Sequence, residues 1–306
     1  MTHQVKSKLS IIVGVFTLLV ISILFTSQHG PWMNRGDSYL PNSRDASFTI
    51  DVPYQNLLPG EDRYARQKIT VPVDTYINSF APEMQGLFTM LHHANIVDTS
   101  ESDIYCPNFP RMLFATGNEI KIVDEIYPGY GVPVRKGAVL EAFVHFANTT
   151  TRVESGILRL RFSGKAGLRP TLPLFLTIGD YCISSELAGE YTIPAGIATS
   201  KTRMQRPVVL PRAGKLLMWG GHVHQYGTSL RLIKNGEVIS TLLPFENPHR
   251  TEAATSSVYL RRVDFAKPLV FQAGDTIDME AVYQKPENLF YTGAMGVAGL
   301  FFDFEE

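Results

Sequence analysis

His222-Val223-His224 lies in "GGHVHQYG", two histidines one residue apart in a stretch that reads as β-strand. Side chains at i and i+2 of a strand share a face, so both imidazoles converge while Val223 turns away. With their Cα atoms about 7 Å apart they can reach one metal ion. Gly220, Gly221 and Gly227 add no bulk around them. The same spacing suits two polar residues on a solvated strand face, and the pair alone does not choose. His92-His93, in "FTMLHHANIV", is a second pair. Neighbours on a regular strand point to opposite faces, so these two can share an ion only at a strand end or a β-bulge. His145, in "EAFVHFAN", shares a face with Phe143 and Glu141; Glu141 either orients its ring as an outer partner or faces solvent. Met295, in "YTGAMGVAGLFF", is an ordinary gap-filler on one reading. On the other, its thioether is a soft ligand suited to Cu(I), while imidazoles serve either copper state.

The elements that must hold these residues are strands. Short apolar runs at 139–148, 156–162, 215–227, 229–233, 237–243, 257–265, 275–283 and 295–304 alternate with turn signals. Asn235-Gly236 between two of them marks a tight hairpin. No helical periodicity is sustained after residue 30. The expectation is an all-β chain of two tandem antiparallel β-sandwich (jelly-roll-like) domains, 46–167 and 168–306, with the seam in "SGKAGLRPTLP".

Ahead of them, Lys6 and Lys8 precede an apolar run from Leu9 to Phe25, close to the roughly 20 residues that span a bilayer. Residues 1–30 are expected to be a signal-anchor, a transmembrane helix, and 31–45 a linker. The lysines place the N-terminus in the cytoplasm and the body outside it, in a periplasmic, extracellular or lumenal space. Cleavage of the segment would give a secreted protein instead. Export suits the two cysteines, Cys106 and Cys182, as a disulfide. Asn148-Thr149-Thr150 is a glycosylation sequon, and His249, in "FENPHRTE", reads as a surface-loop residue. A net charge of −1 gives no basic surplus for nucleic acid. No G-x-S-x-G, phosphate-binding loop or C-x-x-C occurs.

In order, the chain thus presents H-H, H, H-x-H and M over predicted sandwiches. That ordered set resembles the type II copper, ascorbate-dependent monooxygenases, the family of peptidylglycine α-hydroxylating monooxygenase and dopamine β-monooxygenase. The resemblance spans roughly residues 70 to 304. It implies one copper on His92, His93 and His145 in the first sandwich and a second on His222, His224 and Met295 in the other, across an open cleft. It also implies hydroxylation of a substrate C–H bond with O2. The second copper would be the catalytic one, and the first would store an electron from ascorbate or another small reductant. The chain departs from the family at three places. Gly220 stands where the peptide hydroxylase has an Arg, Val297 and Gly299 replace polar residues after its Met ligand, and Phe143 replaces a Gln. The resemblance therefore does not extend to a peptide C-terminus as substrate, and the substrate expected is an unidentified small molecule.

The competing reading is a non-catalytic copper-binding or structural sandwich outside the cytoplasm. A cupin is set aside because Thr228 and Ser229 stand where its Glu would follow the H-x-H. A two-histidine, one-carboxylate iron site would need H-x-D or H-x-E, which this stretch lacks.

Overall fold

The computed structural model describes residues 39–103, 106, 108–117, 125–178, 190–245 and 257–304, the side chains of Phe88, Ser257 and Tyr259 apart. The predicted anchor (1–30), Cys182 and His249 lie outside the described residues. Among the described residues no helix is long and apolar enough to cross a membrane.

The described residues of the first half form nine strands: β1 (Ala46–Leu57), β2 (Asp62–Thr70), β3 (Thr75–Gln85), β4 (Leu91–Ser102), β5 (Pro110–Gly117), β6 (Tyr130–Val134), β7 (Val139–Ala147), β8 (Glu154–Lys165) and β9 (Arg169–Pro170). They form two sheets, ordered β1-β8-β3-β6-β9 and β2-β7-β4-β5. In β1, "ASFTIDVPYQNL", Phe48, Ile50, Val52 and Tyr54 all turn to the core while the residues between them face outward.

Eleven strands follow: β10 (Leu172–Thr177), β11 (Glu190–Ile193), β12 (Thr199–Arg203), β13 (Val208–Val209), β14 (Gly214–His224), β15 (Gly227–Lys234), β16 (Glu237–Leu242), β17 (Ser257–Tyr259), β18 (Val263–Phe271), β19 (Thr276–Gln284) and β20 (Tyr291–Phe304). One sheet runs β10-β20-β14-β17, with β11 on β20 and β18 on β14; the other runs β12-β19-β15-β16, with β13 on β19. The architecture is an all-β sandwich of antiparallel sheets, with β6–β9 the one parallel pair among the described strands. The change of partner falls within the expected seam stretch, a few residues past the 167/168 boundary, since β9 still pairs with β6 and β10 pairs with β20.

The Asn235-Gly236 hairpin forms as expected, both residues at positive φ (51° and 86°), the combination a type I′ turn requires. The single strand expected over 257–265 is instead two, β17 and β18, parted at Leu260, which is fully buried and bridges to Pro244. The end of the expected linker is docked rather than free: Leu40 is buried and its N–H donates to the Tyr76 hydroxyl at 2.8 Å.

The two halves share apolar contacts. Leu217, Met218 and Phe301 pack into the first half's core, and Phe175 packs against Val97 and Met112. Leu217 lies at a register break of β14 between Leu216 and Met218, where the local kink of a bulge re-aims a side chain. At the rim of this contact the buried Asp303 carboxylate accepts from Tyr130 at 3.0 Å and from Arg169 at 2.7 Å.

Candidate metal centre

The adjacent pair meets the condition that strand geometry set for it. Opposite β7, Leu91 pairs with Phe146 and His93 with His145, so His92 is the extra residue of a bulge at the very start of β4. A bulge lets neighbours share a side of the sheet, and the three rings cluster. Their centroids lie 5.1 Å (His92–His93), 4.6 Å (His92–His145) and 5.2 Å (His93–His145) apart. One nitrogen from each ring lies within 4.8 Å of those of the other two. The Nδ1 atoms of His92 and His93 are 3.0 Å apart, close to the ~3.3 Å that two imidazoles would show on one tetrahedral ion at about 2.0–2.1 Å.

His145 is oriented by Asp62, whose Oδ1 accepts from Nε2 at 3.1 Å. A carboxylate acceptor fixes the proton on Nε2 and leaves a lone pair on Nδ1. That Nδ1 is buried and has no hydrogen-bond partner, so it is the atom left to ligate. The Tyr64 ring stacks on His145, with centroids 4.4 Å apart. Glu141 is not the outer partner: its carboxylate is turned to Lys68 at 3.4 Å, because Lys68 stands opposite Glu141 on β2 while Tyr64 stands opposite His145. Burial, followed by its four histidine neighbours His92, His145, His222 and His224, holds the His93 imidazole well below its usual pKa.

The second group forms at the end of β14. His222 and His224 share a face, with rings 5.6 Å apart, and Met295 reaches them from β20. The His222 Nε2 to Met295 Sδ distance is 3.3 Å. His224 donates from Nδ1 to the Gly293 carbonyl at 2.7 Å; a carbonyl can only accept, which puts the proton of a neutral ring on Nδ1 and makes Nε2 the acceptor nitrogen. His224 is nearly fully buried, and Glu190 approaches its Nδ1 at 3.8 Å. Gly221 is required here, since a Cβ would come within 2.2 Å of the Val297 carbonyl.

The open cleft implied by the family is absent between these groups. The His92 and His224 rings are 6.4 Å apart, so the six predicted side chains adjoin as one cluster. The three departures from the family also acquire neighbours. The aliphatic stem of Arg262 covers Gly220, and its guanidinium is held by Asp264 and the Glu125 carbonyl. Phe175 fills the space over Gly299, and Arg66 lies over Phe143 at 4.5 Å.

Asp62, Tyr64, Glu190 and Tyr283 surround these ligands without having been picked out from the sequence. Asp62 and Tyr64 belong to "DRYARQKIT", whose alternation is readable but whose register against β7 is not. The sequon closes a turn: Asn148 is buried, its amide donating to Leu57 and Arg152 carbonyls at 2.8 Å and its oxygen accepting from Thr150. Cys106 is likewise buried.

No protein-family model and no curated protein matches the chain. Solved structures with a similar arrangement include the major capsid protein P2 of bacteriophage PM2, at 9% identity over 85% of this chain and 98% of that one, TM-score 0.40. They also include peptide-N(4)-(N-acetyl-β-D-glucosaminyl) asparagine amidase, at 9% identity over 85% and 96%, TM-score 0.44. PNGase F from Flavobacterium meningosepticum matches at 12% identity over 84% and 96%, TM-score 0.42. With TM-scores below 0.5, these likenesses bear on no residue of the cluster.

Proposed function

We propose that the protein is a copper-dependent monooxygenase-like oxidoreductase that hydroxylates a C–H bond of a small molecule with O2 and a reductant such as ascorbate. The observation that carries this reading is the convergence of five histidines and one methionine in one cluster, two of whose rings are oriented by acceptors outside it. Asp62 accepts from Nε2 of His145, whose buried Nδ1 has no hydrogen-bond partner, and the Gly293 carbonyl accepts from Nδ1 of His224. His92, His93 and His145 form an all-nitrogen donor set, whereas His222, His224 and Met295 include a soft sulfur that favours Cu(I). Copper bound there would supply the one-electron chemistry with O2 that no side chain of the chain can supply.

The protein's own groups hold and shield that chemistry. Asp62 and the Gly293 carbonyl fix which nitrogen of each ring carries its proton. Phe175 and the Arg262 stem close the places where a peptide substrate would be held, which favours a substrate without a C-terminal carboxylate. The four sheets are read as two tandem sandwiches, 46–167 and 168–306, carried outside the cytoplasm behind the membrane-anchoring segment, with Cys106 and Cys182 paired. A second reading, a copper-binding protein without turnover, is favoured by the 6.4 Å approach of His92 and His224, which leaves little room for substrate between the groups. Copper counting on the purified protein separates the two: two ions per chain support the oxidoreductase, one supports the binding protein, and none refutes both.

A further inference from the structure

The ladder between β14 and β20 runs from Gly214 opposite Phe304 to Val223 opposite Gly296. One more step would set His224 against Met295, and that step does not form. The outer edges of both strands stay paired, His224 with Ser257 and Met295 with Glu190. Between their inner edges stands the hydroxyl of Tyr283, a fully buried side chain from β19 in the facing sheet.

This one oxygen serves three backbone groups. It accepts from the N–H of His224 at 3.0 Å and from the N–H of Met295 at 2.8 Å, and it donates to the Met295 carbonyl. A phenol offers one donor and two acceptor positions, so its capacity is used in full, on two residues that the cluster employs as ligands. Buried backbone polar groups must find partners, and here the phenol takes three of the four groups that the missing ladder step would have paired, the His224 N–H and both groups of Met295. Burial pushes the Tyr283 pKa far up, so the hydroxyl keeps its proton and its donor at every ordinary pH.

We propose that Tyr283 is the positioning residue of the His222/His224/Met295 group: a wedge that stops the ladder one step short and so presents the methionine sulfur to the histidines. Without the hydroxyl, His224 and Met295 either pair with each other, drawing the strands together, or remain unsatisfied. In both cases Met295 leaves its place beside His222. The proposal rests on the metal reading of the cluster.

Two measurements test it. In the metal-free protein, amide hydrogen exchange should show the His224 and Met295 N–H groups protected like ladder amides although they lie outside the ladder. The Tyr283 hydroxyl proton should also exchange slowly; fast exchange of all three overturns the wedge, and this measurement needs no variant to fold. In the copper(I)-loaded protein, X-ray absorption of the wild type should show a sulfur neighbour. Tyr283→Phe should lose it and weaken the second ion about 10–100-fold, the usual cost of losing an outer partner, while the first ion is unaffected. Tyr191→Phe, in a ring 6.0 Å from Tyr283, is the control and should change neither. A Tyr283→Phe protein that keeps the sulfur signal and full affinity overturns the proposal. A wild type that takes up no second ion refutes the metal reading instead, leaving the exchange result to judge the wedge by itself.

Discussion

At the scale of single residues, the cluster is organised by groups that ligate nothing. Asp62 is exposed, yet it decides which nitrogen of a buried ring is bare. Asp62→Asn keeps the size but weakens the acceptor, and is expected to lower affinity for the first ion about 10–100-fold, read by titration calorimetry, without altering the second. His93 gives the pH dependence. Its folded pKa lies well below the imidazole value of about 6.5, so the unfolded chain binds the extra proton more readily. The stability it contributes is full above about pH 6.5 and falls as pH drops below that value toward the folded pKa. Thermal unfolding of the metal-free protein should therefore lose midpoint temperature below about pH 6.5, and His93→Asn should flatten that limb. A His93→Asn curve as steep as the wild type would mean that another group is responsible.

At the scale of elements, much of the cluster was legible and its assembly was not. The H-x-H spacing fixes a shared face on any strand, and β14 obeys it. The adjacent pair stated its own requirement, a strand end or bulge, but only the pairing of β4 with β7 shows that His92 supplies both. Tyr283 carried no signal, because "DTIDMEAVY" reads only as one more strand and nothing local says which backbone its hydroxyl meets. Neither course open to Glu141 is taken, for a related reason: it is buried and its carboxylate meets Lys68, the cross-strand neighbour that same-face spacing along β7 ignores. The glycines before the H-x-H separate under the same view. Gly221→Ala drives a Cβ to 2.2 Å from a backbone carbonyl and is expected to cost about 1–3 kcal/mol, the usual range for overpacking. Gly220→Ala meets nothing nearer than 3.6 Å and should stay within about 0.5 kcal/mol. Urea unfolding of the two variants checks the contrast.

At the scale of the whole molecule, the ligand groups come from sheets in different halves, so their spacing depends on how those halves meet. Leu217, Met218 and Phe301 lie in the first half's core, and Asp303 on β20 is held by Tyr130 and Arg169. Asp303→Asn should lower stability by about 1.5–3 kcal/mol, the range for hydrogen bonds to a charged group, and loosen the approach of His92 to His224, measured as weaker binding of both ions. This contact was beyond reach of the sequence, where the seam reads only as a stretch rich in Gly, Pro and charge and the resemblance implies a cleft. The most direct test of the central claim is copper counting on the wild type and on Met295→Ile, paired with O2 consumption in the presence of ascorbate. The account predicts two ions per chain and reductant-dependent O2 uptake for the wild type, and one ion on His92, His93 and His145 without uptake for the variant. A wild type that binds no copper, or a Met295→Ile protein with both ions and undiminished uptake, would contradict it.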